Sequence, residues 1–170
     1  GVQNIQVGDI TPPVFAITPA SVTVECDAVP AVGSVTATDD CDANVTVTYN
    51  EVKTPGNCVD SYILTRTWVA IDNCDNASTH AQKITVIDST PPVLVGVPSD
   101  ITANCDGGNI PPAAVVTGTD NCDNAVQVVF TETKIDGTCP DSYTLTRVWT
   151  ATDNCGNTAS GKQTISVGDV

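Results

Sequence analysis

The stretch Cys58–Asn76 reads CVDSYILTRTWVAIDNCDN and the stretch Cys139–Asn157 reads CPDSYTLTRVWTATDNCGN, with 13 of 19 positions identical. Agreement that dense at one fixed spacing is the mark of a duplication, so the chain is read as two copies of one unit. Inside the first copy Tyr62, Leu64, Arg66, Trp68 and Ala70 fall on alternate positions, and Tyr143, Leu145, Arg147, Trp149 and Ala151 repeat them. A period of two puts these large side chains on one face of a strand, which is the core side.

Over the whole chain Cys26, Cys41, Cys58 and Cys74 recur as Cys105, Cys122, Cys139 and Cys155, offset by 79 residues for the first and 81 for the other three. The two-residue step is an insertion near Gly107 and Gly108. The opening QNIQVGD, Gln3–Asp9, matches QKITVID ending at Asp88 and QTISVGD ending at Asp169. The frame therefore gives residues 1–8 as the last strand of a preceding repeat, 9–87 as repeat 1, 88–168 as repeat 2 and 169–170 as the start of a further linker. The stiff pair Pro91-Pro92 marks the joint.

Val and Thr at alternate positions dominate each copy, and no helical period is sustained. Strands are expected near Val14–Ile17, Val22–Cys26, Ser34–Thr38, Val45–Lys53, Tyr62–Ile71 and Gln82–Ile87. So many short strands in a unit of about 80 residues predict an all-β chain of two tandem immunoglobulin-like β-sandwich modules, each with two disulfides.

The inward face of the strand before Tyr62 reads Val45, Val47, Tyr49, Glu51, and its counterpart reads Val126, Val128, Phe130, Glu132. Each module thus turns one carboxylate and one guanidinium toward its core, where an unpaired charge costs several kcal/mol. Pairs Glu51–Arg66 and Glu132–Arg147 are expected. Four cysteines per module allow three pairings. Strand polarity places the loops carrying Cys41 and Cys74 at the end where the chain enters, and Cys26 and Cys58 at the opposite end. The expected bonds are Cys26–Cys58, Cys41–Cys74, Cys105–Cys139 and Cys122–Cys155. Structural zinc sites show a close Cys pair, which spacings of 15, 17 and 16 lack.

Eight cysteines, no methionine and 4% aromatic residues suit an oxidising compartment rather than a cytosolic core. A formal charge of −14 repels phosphate backbones and anionic lipid, so nucleic acid is not an expected partner. Direct membrane insertion is not expected either, because no apolar run approaches the roughly 18–20 residues of a span. No signal peptide is present, which reads as a mature piece of a secreted protein. Catalysis is not expected. The single histidine, His80, corresponds to Gly161 and is expected to be an exposed strand residue, and there is no phosphate loop, nucleophile elbow or Cys-x-x-Cys. Asn44-Val-Thr46 and Asn76-Ala-Ser78 match the glycosylation tripeptide, a common one that in a bacterial protein would be a chance match.

The aspartates have a pattern of their own. Asp39, Asp72, Asp120 and Asp153 each stand two residues ahead of a cysteine, and Asp9 and Asp88 lead into the two modules. Loops tied at the entry end bring these carboxylates together with Asn73 and Asn154 carbonyls, which predicts Ca2+ held by Asp9, Asp39 and Asp72 at one joint and by Asp88, Asp120 and Asp153 at the next. Asp42 and Asp123, past the cysteine, are expected in second place, facing solvent. The competing reading has Asp and Asn there as turn formers only.

TWxAxDNCxN followed by a Thr-rich strand and xVxDxTPPV resembles the hyalin-repeat (HYR-like) modules of very large surface adhesins of Bacteroidetes, gliding-motility adhesins among them. The resemblance covers nearly the whole chain. It implies export by the type IX system and display as filaments outside the bacterial outer membrane, with neighbouring repeats of the same chain as partners and an extracellular surface or polysaccharide as the target of the whole protein. One departure is Asp75 in place of Gly156, so the turn after Cys74 is expected to differ in shape. Duplication, disulfides and proline-stiffened joints favour a structural spacer in an adhesive filament. The alternative is a module that binds a glycan or protein through loops at the sandwich end, for which the inward-facing Trp68 and Trp149 offer no platform.

Overall fold

The computed structural model describes residues 1–5, 7–105 and 110–168. The insertion at Gly107–Gly108 and the expected linker at 169–170 lie outside the described residues. The chain divides into two compact units, Gly1–Ile87 and Asp88–Val170.

Unit 1 contains β1 (Val14–Phe15), β2 (Val22–Glu25), β3 (Ala37–Thr38), β4 (Thr46–Pro55), β5 (Tyr62–Ile71) and β6 (Ala77–Ile87). The long strands form a four-stranded sheet in the order β2-β6-β5-β4, and β1 pairs with β3 in a second, two-stranded sheet. Unit 2 repeats the plan with β7 (Val93–Val95), β8 (Ile101–Asn104), β9 (Thr117–Thr119), β10 (Gln127–Asp136), β11 (Tyr143–Thr152) and β12 (Thr158–Gly168). Its sheets are β8-β12-β11-β10 and β7-β9. Among the described residues the protein is all-β apart from one 3-10 turn at Cys26–Ala28, and no described helix is long and apolar enough to cross a membrane.

Alternation fixes what each strand buries. In β5, Leu64, Arg66, Trp68 and Ala70 are buried and the residues between them are not. Antiparallel register sets Trp68 opposite Tyr49 on one side and His80 on the other, and Leu64 opposite Ile84. Leu64, Ile84 and Val86 form the apolar core with Val24, Val29 and Tyr62, while Leu145, Ile165 and Val167 do the same in unit 2 with Ile101, Ile110 and Tyr143. Trp68 and Trp149 are each only 2% exposed, a burial whose loss on truncation to Ala costs about 3–5 kcal/mol.

The pairing of β2 with β6 is parallel, Val22 opposite Ile84 through Glu25 opposite Ile87, and β8 joins β12 likewise. A parallel ladder needs a long crossover, and the whole of β3–β5 supplies it. Residues 1–8, expected as a strand, lie in none among those described. The matching strand β6 is held by ladders to β2 and β5 of its own repeat, and those partners are already paired.

The two units fill one place in the core differently. His80, expected on the surface, is half-buried with its ring 5.9 Å from Trp68 and 6.3 Å from Phe15, and its Nε2 lies 3.0 Å from the Pro19 carbonyl. Its counterpart is Gly161, where a Cβ would lie 2.7 Å from Val97 Cγ2 and 3.3 Å from Leu94 Cδ1. The imidazole thus occupies in unit 1 the room that Val97 and Leu94 take in unit 2. Gly161→His should destabilise unit 2 by about 1–3 kcal/mol through overpacking. A lowered denaturant midpoint with unchanged slope checks this, and an unchanged midpoint contradicts it.

Candidate functional site: the aspartate loops at the module tip

In unit 1 the turn between β3 and β4 and the turn between β5 and β6 lie at one end of the four-stranded sheet, beside Asp9. Turn amides do not reach a ladder partner, and a buried N–H without an acceptor is costly, so short carboxylates take over. Asp39 Oδ1 accepts from Cys41 N at 2.8 Å and from Asp42 N at 3.1 Å. Asp72 Oδ1 accepts from Cys74 N and Asn76 N, both at 2.8 Å, while its Oδ2 accepts from Asn76 Nδ2 at 2.8 Å. Asn76 Nδ2 also donates to the Asp9 carbonyl at 3.3 Å, and Asp9 Oδ1 accepts from Thr11 N at 3.0 Å.

Unit 2 reproduces this scheme. Asp120 Oδ1 accepts from Cys122 N at 2.8 Å and Asp123 N at 3.0 Å. Asp153 Oδ1 accepts from Cys155 N at 2.9 Å and Asn157 N at 2.8 Å, and Asn157 Nδ2 donates to Asp153 Oδ2 at 2.9 Å and the Asp88 carbonyl at 3.3 Å. The turn after Cys74 was expected to differ from its counterpart. It does not: Asp75 has φ 67° and Gly156 φ 89°, and Asp72 N and Asp153 N each bond the carbonyl four residues on at 3.1 Å.

Asp42 and Asp123 were expected to face solvent, and the structure corrects this. Each is 7% exposed. Asp42 Oδ1 accepts from Asn44 N at 2.8 Å and Oδ2 from Asn73 N at 3.0 Å, and Asp123 accepts from Ala125 N at 2.7 Å and Asn154 N at 3.0 Å. They clamp one loop to the other. The repeated spacing Asp39-x-x-Asp42 and Asp120-x-x-Asp123 was the sequence signal for this role.

The outward oxygens converge. In unit 2 one carboxylate oxygen from each of Asp88, Asp120 and Asp153 lies within 4.8 Å of the others. In unit 1 the same limit gathers Asp9, Asp39 and the Cys41 sulfur, and among the described residues Asp72 is not part of that group. Two oxygens on opposite sides of a hard cation, each at about 2.4 Å, stand ~4.8 Å apart, so the carboxylate spacing fits such an ion. Asp9 Oδ2 and Asp120 Oδ2 are buried without a hydrogen-bond partner, which is where a cation would be accepted. The Asp9 carboxylate, assisted by burial and by Asp39, Asp40 and Cys74, pushes the Cys41 thiol above its ordinary pKa.

Deeper in each sheet, Arg66 Nε donates to Glu51 Oε2 at 2.7 Å and Arg147 Nε to Glu132 Oε2 at 2.6 Å. Tyr49 Oη adds a bond to Glu51 Oε2 at 2.9 Å, and Arg66 Nη1 reaches the Ala31 carbonyl at 3.3 Å. The arginines are buried, but the Glu51 and Glu132 side chains are 34% and 37% exposed. They stand on β4 and β10, each an edge strand of its sheet.

Cys26, Cys58, Cys122 and Cys155 are disulfide-bonded. Cys41, Cys74, Cys105 and Cys139 are exposed free thiols, so the expected bonds Cys41–Cys74 and Cys105–Cys139 are not formed in this structure. In each unit the two bonded cysteines are a pair that the topology brings to one end, Cys26 with Cys58 beside the end of β6 and Cys122 with Cys155 beside the start of β12.

No protein-family model and no curated protein matches the chain. Among solved structures it is similar to Drosophila N-cadherin EC1-3, at 16% identity over 94% of this chain and 68% of that one, with a TM-score of 0.34. Drosophila N-cadherin EC1-4 gives 10% identity, 92% and 49% coverage and a TM-score of 0.38, so the chain spans about half of that protein's solved length. Human protocadherin-24 EC1-2 gives 16% identity, 94% and 100% coverage and a TM-score of 0.33. Similarity at that level carries no argument about this chain.

Hydrogen bonds from Arg66 and then Tyr49 hold the Glu51 carboxyl below its ordinary pKa. Burial pushes Asp72 up, but the Asn76 side chain and the Asn76 and Cys74 amides outweigh it, and the net direction is also down. A depressed folded pKa contributes stability that is present above the unfolded value, about 4 for these groups, and lost as pH falls through the folded value. The melting temperature of the chain should therefore hold between neutral pH and about pH 5 and fall below about pH 4. Glu51→Gln should lower it at pH 7 and flatten its acid limb, and an equally steep limb in the variant would show that the pair does not contribute.

Proposed function

We propose that the chain is a pair of extracellular spacer modules of a surface adhesin, each an immunoglobulin-like β-sandwich of the hyalin-repeat type, stiffened by disulfides and by calcium at the tip where the linker aspartate enters. The observation that carries the cation is the convergence of Asp88, Asp120 and Asp153 within 4.8 Å in unit 2. Each of these carboxylates holds a turn amide through Oδ1, and Asp153 Oδ2, which also accepts from the Asn157 side chain, keeps a second lone pair. Building the turn and offering an oxygen to a cation are therefore compatible roles. A hard divalent ion would cancel the repulsion among three gathered charges and join the linker to both loops.

Display outside a bacterial outer membrane, type IX export and a role in gliding rest on the sequence resemblance. Duplication, an acidic surface and cysteines in both units support a secreted repeat array with neighbouring repeats as partners. No catalytic step is assigned, since His80 packs between Phe15 and Trp68 and has no counterpart in unit 2. A second reading, binding of a glycan or protein, gains from Tyr49 and Phe130, which are 42% and 41% exposed beside Glu51 and Glu132 on the edge strands. Specific retention on a glycan array, lost in the double variant Tyr49→Ser and Phe130→Ser, would favour it over the spacer.

The cation is tested by melting. Calcium at about 100 times its Kd adds about 2.7 kcal/mol, which for a module of this size raises the transition by roughly ten degrees or more. Chelator should reverse the rise, and Asp88→Ala or Asp120→Asn should remove it from unit 2. A transition that millimolar calcium leaves in place, with Asp88→Ala behaving like the parent, would sink the cation.

A further inference from the structure

Cys41 and Cys74 are free, but their places in the repeat are those of Cys122 and Cys155, which are bonded. The backbone around the two pairs is held in the same way. The clamp across the loops measures 3.0 Å from Asn73 N to Asp42 Oδ2 and 3.0 Å from Asn154 N to Asp123 Oδ2. Cys41 N and Cys122 N both lie 2.8 Å from their aspartate oxygens, while Cys74 N and Cys155 N lie 2.8 and 2.9 Å from theirs. A disulfide needs its two Cα atoms within about 4.4–6.8 Å with the side chains turned together. A frame that meets this in unit 2 and is matched bond for bond in unit 1 brings Cys41 and Cys74 within reach with little backbone movement.

The other free pair is placed differently. Cys105 and Cys139 line a cavity of about 470 Å³ together with Lys134, Asp136 and Tyr143. Their described backbone bonds run to Gly168 and Ser142 respectively, and none described clamps one loop to the other.

We propose that Cys41 and Cys74 are a redox-active dithiol pre-set for closure by the aspartate frame, and that a disulfide oxidant of the glutathione class closes it. One cysteine sulfur attacks the S–S bond of the oxidant and displaces a glutathione thiolate, leaving a mixed disulfide. The second cysteine displaces the remaining glutathione from that intermediate. Two electrons pass to the oxidant and both cysteine protons end on its two sulfurs, giving one Cys41–Cys74 bond and two reduced glutathiones. Resting on the cation reading above, closure also takes the Cys41 thiol out of the group it forms with Asp9 and Asp39.

The experiment equilibrates the full chain in glutathione buffers of stepped ratio, quenches the thiols with an alkylating agent and maps the peptides. Cys41–Cys74 should close at a buffer at least about tenfold more reducing than Cys105–Cys139 requires, and Asp42→Ala should shift its closure by about tenfold toward oxidant through lost effective concentration. Asp42→Asn serves if the alanine variant does not fold, with circular dichroism as the check. Cys41 and Cys74 still alkylated in fully oxidised buffer, or closing at the same ratio with and without Asp42, would overturn the proposal. Calcium melting of the open and closed forms is read separately, so failure of the cation leaves the mapping result intact.

Discussion

A turn between two strands leaves amides that no ladder reaches, and in this protein nearly all of the chemistry at the module tip follows from how aspartates meet them. Asp39, Asp72, Asp120 and Asp153 each give one oxygen to the amide two residues on, and Asp42 and Asp123 use both oxygens to fasten neighbouring loops. The outward oxygens then gather because the loops are fastened. A cluster of charge is thus a consequence of satisfying the backbone, and the cation we propose would relieve the repulsion that this solution creates.

The duplication shows which features of the unit are required and which are free. Asp75 and Gly156 hold the same left-handed turn although glycine alone enters it without strain, so the loop geometry outweighs a local preference. His80 and Gly161 show the reverse, with the volume conserved and the residues changed: an imidazole against Phe15 and Trp68 in one unit, Leu94 and Val97 against bare backbone in the other.

Much of the fold was legible because alternation is a local signal. Tyr62–Ile71 reads as a strand and is β5, while β6 begins at Ala77, before Gln82, because Ala77, Ser78 and Thr79 carry no apolar alternation to announce it. The parallel pairing of β2 with β6 joins residues about sixty positions apart, and no local pattern encodes such a partner. At the tip, spacing from the cysteines pointed to the aspartates. It could not show that Asp42 lies inward, because a clamp depends on the facing loop, nor that Asp72 spends both oxygens on Cys74 and Asn76.

The tip aspartates both hold turn amides and present oxygens to a cation, and carboxyl carbon-13 shifts followed through a calcium titration separate these roles. Saturable shifts are expected at Asp88, Asp120 and Asp153, whose oxygens lie within 4.8 Å of one another, while Asp123, outside that group and holding the Ala125 and Asn154 amides, should move little. Shifts spread evenly over all surface carboxylates without saturation, or Asp123 moving as far as Asp120, would contradict this assignment.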